Sequence, residues 1–143
     1  MIVVKVKGLD PKAIMPKYAH DTDSGADIFA LETVTIEAGQ MIPLRTGLSV
    51  GLPSGYELQV RSKSGLAAKY GLFVLNSPGT IDQDYRGEIL VLLQNAGKVN
   101  YTVKQGDKIA QVVLCPVFHA EFSAVFNLSE TARGEGGFGS TGR

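Results

Sequence analysis

The sequence predicts an all-β domain, built as a sandwich, a barrel or a jelly roll, with one short helix and a flexible glycine-rich C-terminal tail. Seventeen glycines and six prolines among 143 residues separate short runs rich in valine, isoleucine, leucine and tyrosine. Many short strands at such spacing are typical of these architectures. Only one stretch has the features of a helix, and the β pattern is lost near the end of the chain. At this length we expect one domain with a sizeable core.

Eight runs are predicted as strands because β-prone residues cluster in them between turn residues. They are residues 2–6, 34–36, 41–50, 56–61, 72–75, 88–94, 99–103 and 108–117. Between the fifth and sixth runs, a Pro-Gly pair and the polar tip Asp82-Gln83-Asp84 predict a β-hairpin that turns near Gln83 and Asp84. Beside this tip we expect the carboxylate of Asp82 to be partly shielded and well fixed.

The helix is predicted over residues 64–71, where Ser64 could cap, two alanines follow and Gly71 ends the pattern. A cation and hydroxyl groups lead into this helix, and a helix N-terminus attracts anions. The arrangement therefore predicts an anion site. The glycine-rich segment 129–143 is expected to be mobile when nothing is bound. We accordingly divide the chain into a β domain over 1–127 and a mobile tail over 128–143.

Charge and cysteine content limit the classes of partner. Fourteen lysines and arginines balance 14 aspartates and glutamates, so no basic field predicts a nucleic-acid or membrane partner. The single cysteine, Cys115, excludes an intrachain disulfide and is predicted to be a buried small hydrophobe. At the N-terminus, apolar residues alternate with lysines, which does not resemble a signal peptide. No apolar run approaches the roughly 20 residues that span a bilayer. These features predict a cytoplasmic protein.

Five stretches, taken in order, carry a family resemblance. They are Asp-Ser-Gly-Ala-Asp-Ile-Phe-Ala at 23–30, Arg-Ser-Lys-Ser-Gly-Leu-Ala at 61–67, Asn-Ser-Pro-Gly-Thr-Ile-Asp-Gln-Asp-Tyr-Arg-Gly-Glu at 76–88, Gly-Asp-Lys-Ile-Ala-Gln at 106–111 and Arg-Gly-Glu-Gly-Gly-Phe-Gly-Ser-Thr-Gly at 133–142. In this order they resemble the five motifs of the trimeric dUTP diphosphatase (dUTPase) family. The second stretch departs from the family pattern, because Ser62 stands for a proline and Lys63 for an arginine.

The resemblance implies a jelly-roll-like subunit, a homotrimer with active sites shared between subunits, and a role for each motif. Asp27 would hold Mg²⁺ through water, which suits an ion that keeps much of its hydration. Asp82 would be the catalytic base. The substrate-binding residues implied by the motifs are Lys63, Ser64, Gly65, Asn76, Gly79, Thr80, Ile81, Tyr85, Leu90, Gln111, Arg133, Phe138, Gly139, Ser140 and Thr141.

Within that set, the resemblance implies that the side chain of Asn76 reads the edge of uracil together with the backbone of Ile89 and Leu90. Gly79 and Thr80 would line the sugar, and Tyr85 would pack under the deoxyribose and leave no room for a 2′-hydroxyl. Gln111 would contact a phosphate. From the tail, Arg133, Ser140 and Thr141 would grip the γ-phosphate while Phe138 stacks on the base.

The implied reaction is the Mg-assisted attack of water on the α-phosphorus of dUTP, which gives dUMP and pyrophosphate. It limits uracil incorporation into DNA and supplies dUMP for dTMP synthesis. Two alternatives stay open. A related dCTP deaminase shares the fold, but its catalytic glutamate and extra C-terminal sequence are not matched here. A dUTP-sensing regulatory module would bind the nucleotide without needing turnover.

Overall fold

The computed structural model describes residues 1–139, and within them the chain forms eleven β-strands and one α-helix. The strands are β1 (Lys5–Gly8), β2 (Ala26–Phe29), β3 (Val34–Ile36), β4 (Met41–Arg45), β5 (Leu48–Gly51), β6 (Tyr56–Arg61), β7 (Leu72–Val74), β8 (Gly79–Ile81), β9 (Leu90–Asn95), β10 (Tyr101–Val103) and β11 (Lys108–Pro116). The helix α1 spans Ser64–Tyr70. The all-β prediction with one short helix is therefore confirmed.

The strands form four antiparallel sheets, and no sheet of the described residues closes into a barrel. The largest has the order β2-β11-β6-β8, and a second has the order β4-β9-β7. Two pairs, β1 with β5 and β3 with β10, complete the fold. The predicted run 41–50 is divided into β4 and β5, because Gly47 turns the chain with a φ of 68°.

The core lies between the sheets and is continuous. Strand β9 alternates buried side chains with exposed or half-buried ones along its length, as the two-residue period of a strand requires. Nearly every sheet contributes side chains that are less than 2 % exposed, among them Ile28, Ile36, Leu44, Leu72, Val91, Leu93, Val103 and Ile109. This packing holds in place the loops that carry the polar motifs.

The predicted hairpin after residue 76 is wrong in its pairing. Strand β8 pairs with β6, whereas β9 pairs with β4 and β7, so the two arms of the hairpin belong to different sheets. The turn is where it was predicted, since the N–H of Tyr85 donates to the C=O of Asp82 at 3.2 Å. Because the two arms pair with strands of different sheets, the arms diverge and a slot opens between them.

Two local predictions also need correction. The residue that precedes α1 is Lys63, and no side chain caps the helix, so Ser64 is the first helical residue and not the cap. The predicted C-terminal stop is confirmed, because Gly71 has a φ of 69° and donates its N–H to the C=O of Ala67. Cys115 is half-buried and not fully buried, with its Sγ 3.6 Å from Nη2 of Arg61.

The described chain leaves the sheets after β11. The N–H of Val117 donates to the C=O of Gly55 at 2.9 Å, and residues 118–139 contain no helix or strand. Large apolar side chains on this segment are almost fully exposed, namely Phe118, Phe122, Phe126 and Leu128. The division into 1–127 and 128–143 stays a prediction. No helix within residues 1–139 is long and apolar enough to cross a membrane.

Candidate active site

Strand register brings the first, second and fourth motifs together. On β11, Gln111 lies opposite Asp27 of β2 on one side and opposite Arg61 of β6 on the other. Directly after Arg61 come Ser62 and Lys63, which lead into α1. We call Asp27, Ser62, Lys63, Lys108 and Gln111 the carboxylate cluster.

Asp27 is the buried charge of this cluster, with only 5 % of its surface exposed. Lys63 donates to its Oδ1, and the Nζ of Lys108 lies 2.7 Å from its Oδ2. Burial raises the pKa of this carboxyl, but the hydrogen bonds and charges of Lys108 and Lys63 together lower it below its ordinary value of 3.8. Asp27 is therefore ionised at neutral pH, and both of its oxygens are neutralised by lysines.

Ser62 was not among the predicted site residues, and Lys108 is the charged member of this cluster that sequence reasoning missed. It belongs to the fourth motif, but strict alternation along β11 would place it on the same face as the buried Ala110. A β-bulge between Lys108 and Ala110 shifts the register and frees Lys108 from that alternation. The signal in the sequence was a glycine turn followed by a lysine at the start of the strand. This pattern does not predict a bulge.

Gln111 is held against the second motif. Its Nε2 donates to the C=O of Ser62 at 2.9 Å. Gly25 provides the space for this side chain, because a Cβ at that position would lie 2.3 Å from the Oε1 of Gln111. The glycine of the first motif thus packs directly against the glutamine of the fourth.

A second group of site residues surrounds the slot between β8 and β9, which we call the base slot. Its volume is about 230 Å³, and it is lined by Asn76, Thr80, Ile81, Asp82, Tyr85, Glu88, Ile89, Leu90 and Leu92. Gly79 is buried beside it, and a Cβ there would lie 3.2 Å from the Nδ2 of Asn76. The structure therefore brings together the predicted residues of the third motif.

The backbone of the second arm shows which residue can face a ligand. Ile89 donates its N–H to the C=O of Leu48, and its own C=O accepts from the hydroxyl of Thr46, each at 2.7 Å. The C=O of Leu92 accepts from Leu75, so alternation turns the N–H and C=O of Leu90 to the same edge, beyond the end of β7. Leu90 faces the base slot, whereas the backbone of Ile89 is already bonded within the fold.

Tyr85 and Asp82 stand at the mouth of the base slot. The hydroxyl of Tyr85 donates to the C=O of Glu88 at 3.0 Å, and its ring lies over Gly87, where a Cβ would be 2.5 Å from Cζ. Asp82 is exposed, so the predicted shielding is absent in the single chain because the turn around it is exposed as well. It also borders a larger cleft of about 570 Å³, which includes Glu57.

The base slot and the carboxylate cluster lie at different levels of the large sheet. Ile81, next to Asp82, lies opposite Leu58 of β6, whereas Gln111 lies opposite Arg61. Three residues along a strand span roughly 10 Å. The predicted site residues thus form two groups within one chain.

The described part of the fifth motif, residues 133–139, is bonded locally. The Nε of Arg133 donates to the C=O of Gly136 at 2.8 Å, and Phe138 is fully exposed with a φ of 48°. Gly139 is the last described residue, and it has a φ of 87°. The predicted phosphate ligands Ser140 and Thr141 lie outside the described residues.

The order of motifs and the fold can be compared with known proteins. The model of the dUTPase family matches residues 11–142. The chain belongs to the dUTPase family. The deoxyuridine 5′-triphosphate nucleotidohydrolase of Crocosphaera subtropica is 51 % identical over 139 residues, which cover 97 % of this chain and 98 % of that protein. The enzyme of the same name from Picosynechococcus is 52 % identical over 134 residues and 94 % of each chain.

Solved dUTPase structures confirm the jelly-roll-like fold. The dUTPase of Staphylococcus bacteriophage 80alpha, bound to dUpNHpp, superposes with a TM-score of 0.91 at 30 % identity and covers 99 % of both chains. A mutant dUTPase of the S. aureus phage phi11 superposes with a TM-score of 0.80 at 28 % identity, over 87 % of this chain and 97 % of that chain. That structure includes a structural Mg(II) ion.

Proposed function

We propose that the chain is a dUTP diphosphatase that hydrolyses dUTP to dUMP and pyrophosphate. The observation that carries this proposal is the base slot of a dUTPase-family chain. The amide of Asn76 borders one side of the slot, the open backbone edge of Leu90 borders the other, and the carboxylate of Asp82 stands at its mouth. This arrangement offers hydrogen bonds to a planar nucleobase and a carboxylate that can accept a proton.

The base slot would select uracil and deoxyribose. An asparagine amide and a strand backbone each present one donor and one acceptor, which match the alternating N–H and C=O groups on the edge of uracil. Cytosine inverts part of that pattern, and a site built on hydrogen bonds rejects such a mismatch strongly. Tyr85, held by its hydroxyl, would close the space under the sugar, while Gly79 and Thr80 would line it.

The carboxylate cluster would receive the triphosphate. The side chain of Lys63, which directly precedes α1, is 27 % exposed. Ser64 and Gly65 follow it in the helix, and Gln111 lies beside them. To bind a phosphate directly, Lys63 must release Asp27. Arg133, Ser140 and Thr141 of the tail would add contacts to the γ-phosphate, and Phe138 and Gly139 would cover the base.

Asp27 fits the proposed Mg²⁺. It is a carboxylate that stays ionised, and Lys63 or Lys108, which bind its two oxygens, would have to release it to the ion. Mg²⁺ is often bound through one carboxylate with water and substrate phosphates. When bound, the ion would supply positive charge against the phosphate oxygens.

In the proposed reaction, Asp82 accepts a proton from a water molecule as its oxygen attacks the α-phosphorus. The bond from the α-phosphorus to the bridging oxygen breaks, and pyrophosphate leaves with the electron pair. General base catalysis of this kind contributes about 10²–10⁴-fold. The remaining rate enhancement would come from positioning and charge stabilisation by Lys63, Gln111 and Arg133.

We propose that three copies of the chain form the enzyme and share its sites. Asp82 follows Ile81 at the level of Leu58 and Gln111 lies at the level of Arg61, roughly 10 Å apart along β6, and a neighbouring chain would bring a second carboxylate cluster to the base slot. Exposed Phe118, Phe122 and Phe126 on a segment without secondary structure also support it, since apolar surface of this kind marks an interaction site. The proposed partners are dUTP and further copies of the chain in the cytoplasm.

The test is incubation of the full chain with dUTP, dCTP or UTP in the presence of Mg²⁺. We expect dUMP and pyrophosphate from dUTP, and far slower reaction with the other two nucleotides. Ammonia released from dCTP would instead identify a deaminase. Tight binding of dUTP without any product would identify a sensing module.

A further inference from the structure

The turn that joins β4 to β5 is bonded to the second arm of the base slot along most of that arm. The hydroxyl of Ser49 donates to the C=O of Arg86 at 2.7 Å, and the hydroxyl of Thr46 donates to the C=O of Ile89 at the same distance. Both hydroxyl residues are buried. We call residues 45–49 the arm clamp.

The side chain of Glu88 binds the second arm to this clamp. Its Oε1 accepts from the N–H of Gly47 at 2.8 Å, and both of its oxygens lie 3.2 Å from the Nε of Arg45. The side chain is only 19 % exposed. Hydrogen bonds to an ionised acceptor are about twice as strong as those between neutral groups. Glu88 is therefore held more firmly than its position in an exposed loop would suggest.

The backbone C=O of Glu88 is bonded to the other side, to Tyr85. It accepts the hydroxyl of Tyr85 at 3.0 Å, and Glu88 lies two residues before Leu90, whose backbone faces the base slot. Glu88 thus connects the arm clamp both to the ring of Tyr85 and to the backbone edge of Leu90. Glu88 itself borders the slot, but its carboxylate is directed to the clamp.

We propose that Glu88 is a positioning residue that sets the selectivity of the base slot for the deoxyribose sugar. This inference rests on the proposed function. Ser49 still holds Arg86 and Thr46 still holds Ile89 when the Glu88 side chain is lost, so the arm stays folded, but the segment between them loosens together with the C=O of Glu88 that accepts the hydroxyl of Tyr85. A ring that can shift leaves room for a 2′-hydroxyl, and a shift of about 1 Å in a positioned group can cost a hundredfold.

The experiment measures the affinities of dUMP and UMP for the full chain by calorimetry, together with kcat and KM for dUTP. The monophosphates isolate the base slot, because they lack the β- and γ-phosphates. In Glu88→Ala we expect the preference for dUMP over UMP to fall about tenfold, with KM for dUTP rising and kcat changing little. Glu88→Gln retains an acceptor for the N–H of Gly47, so it should keep the wild-type preference.

A matched control separates positioning from general stability. The side chain of Asn100 also accepts a backbone N–H, that of Ala38 at 3.1 Å, away from the slot. Asn100→Ala should leave the preference unchanged. If Glu88→Ala does not fold, Glu88→Asp keeps the charge but shortens the reach and should show a reduced preference.

An unchanged dUMP preference in Glu88→Ala, or an equal loss in Asn100→Ala, would overturn the inference. Failure of the proposed function would look different, because the wild-type chain itself would then hydrolyse no dUTP.

Discussion

At the scale of single residues, the two aspartates of the candidate site have opposite surroundings. Asp27 is buried and neutralised by Lys63 and Lys108, whereas Asp82 is exposed at a turn. A carboxylate already bonded to two ammonium groups is a poor proton acceptor, because its charge is stabilised. Asp82 is therefore the better candidate for the catalytic base.

Replacing Asp82 tests that assignment. We expect Asp82→Asn to lower kcat for dUTP by about 10²–10⁴-fold, because the amide cannot accept the proton of the attacking water. The affinity for a non-hydrolysable dUTP analogue should stay near the wild-type value, since the amide has the same shape. Rapid-quench kinetics and calorimetry measure the two quantities. Near-normal turnover in this variant would refute the role of Asp82.

Gly87 offers a test of the sugar-side ring that leaves Tyr85 itself unchanged. In Gly87→Ala, the new Cβ would lie 2.3 Å from the hydroxyl oxygen of Tyr85 and must displace the ring. We expect the ratio of kcat/KM for dUTP to that for UTP to fall about ten- to a hundredfold, as it should in Tyr85→Ala. In the control Gly8→Ala, the nearest atom would lie 3.8 Å away, and the ratio should not change. Retained selectivity in Gly87→Ala would show that the ring does not select the sugar.

At the scale of elements, the short helix α1 is placed by its neighbours more than by its own sequence. No residue of α1 is buried, and no side chain caps it. It is followed by β7 through Gly71, and Tyr70 at its end contacts Tyr101 of β10, with ring centroids 4.8 Å apart and planes at 53°. Together with the ion pair of Lys63 and Asp27 before its first residue, these contacts hold the second motif in place at both ends of the helix.

The partial burial of Tyr101 predicts a pH dependence. Burial, followed by the neighbouring Tyr70 and Asp107, raises the pKa of Tyr101 above its ordinary value of 10.0. The folded state therefore holds this proton more tightly, so its contribution to stability is complete below pH 10 and is lost as the pH rises through the raised pKa. Thermal unfolding from pH 8 to pH 11 should show a steeper alkaline loss in the wild-type chain than in Tyr101→Phe. Parallel curves would contradict the shift.

At the scale of the whole molecule, the residues of the candidate site are divided among three parts of the chain. The base slot and the carboxylate cluster are two groups of residues, and the hydrogen bonds of Arg133, Gly134 and Gly136 lie within the tail. A triphosphate nucleotide would have to contact all three. The sharing between subunits proposed above would bring these regions together and would also cover the exposed phenylalanines after β11.

Subunit mixing tests the shared site. A chain that ends at Asn127 should fold and assemble but lose most of its activity, because the glycine-rich tail can be ordered only by the contacts that it makes with the nucleotide. Mixing it, after unfolding and reassembly, with full-length Asp82→Asn should restore activity. An intact Asp82 would then be covered by a tail from the other chain. Mixed assemblies, confirmed by mass, that stay as inactive as both parents would refute sharing.

The sequence by itself determined the fold class, most of the strands and the order of the motifs. Strands 34–36 and 56–61 were predicted with the bounds that the structure has, because β-branched residues and turn residues are local signals. The end of α1 was predictable for the same reason, since Gly71 can adopt a left-handed conformation at little cost. Family membership, too, was expected from five short stretches in order.

Only the tertiary structure decided how those stretches meet. The sequence around residues 76–90 is typical of a hairpin, yet β8 and β9 belong to different sheets. The pairing of a strand depends on which sheet edge lies beside it when the core is packed. The ion pair of Asp27 with Lys108 depends on a β-bulge, and the grip of Glu88 on Gly47 joins residues 41 positions apart. Local propensity carries no information about such contacts, since they depend on which distant strands become neighbours when the core packs.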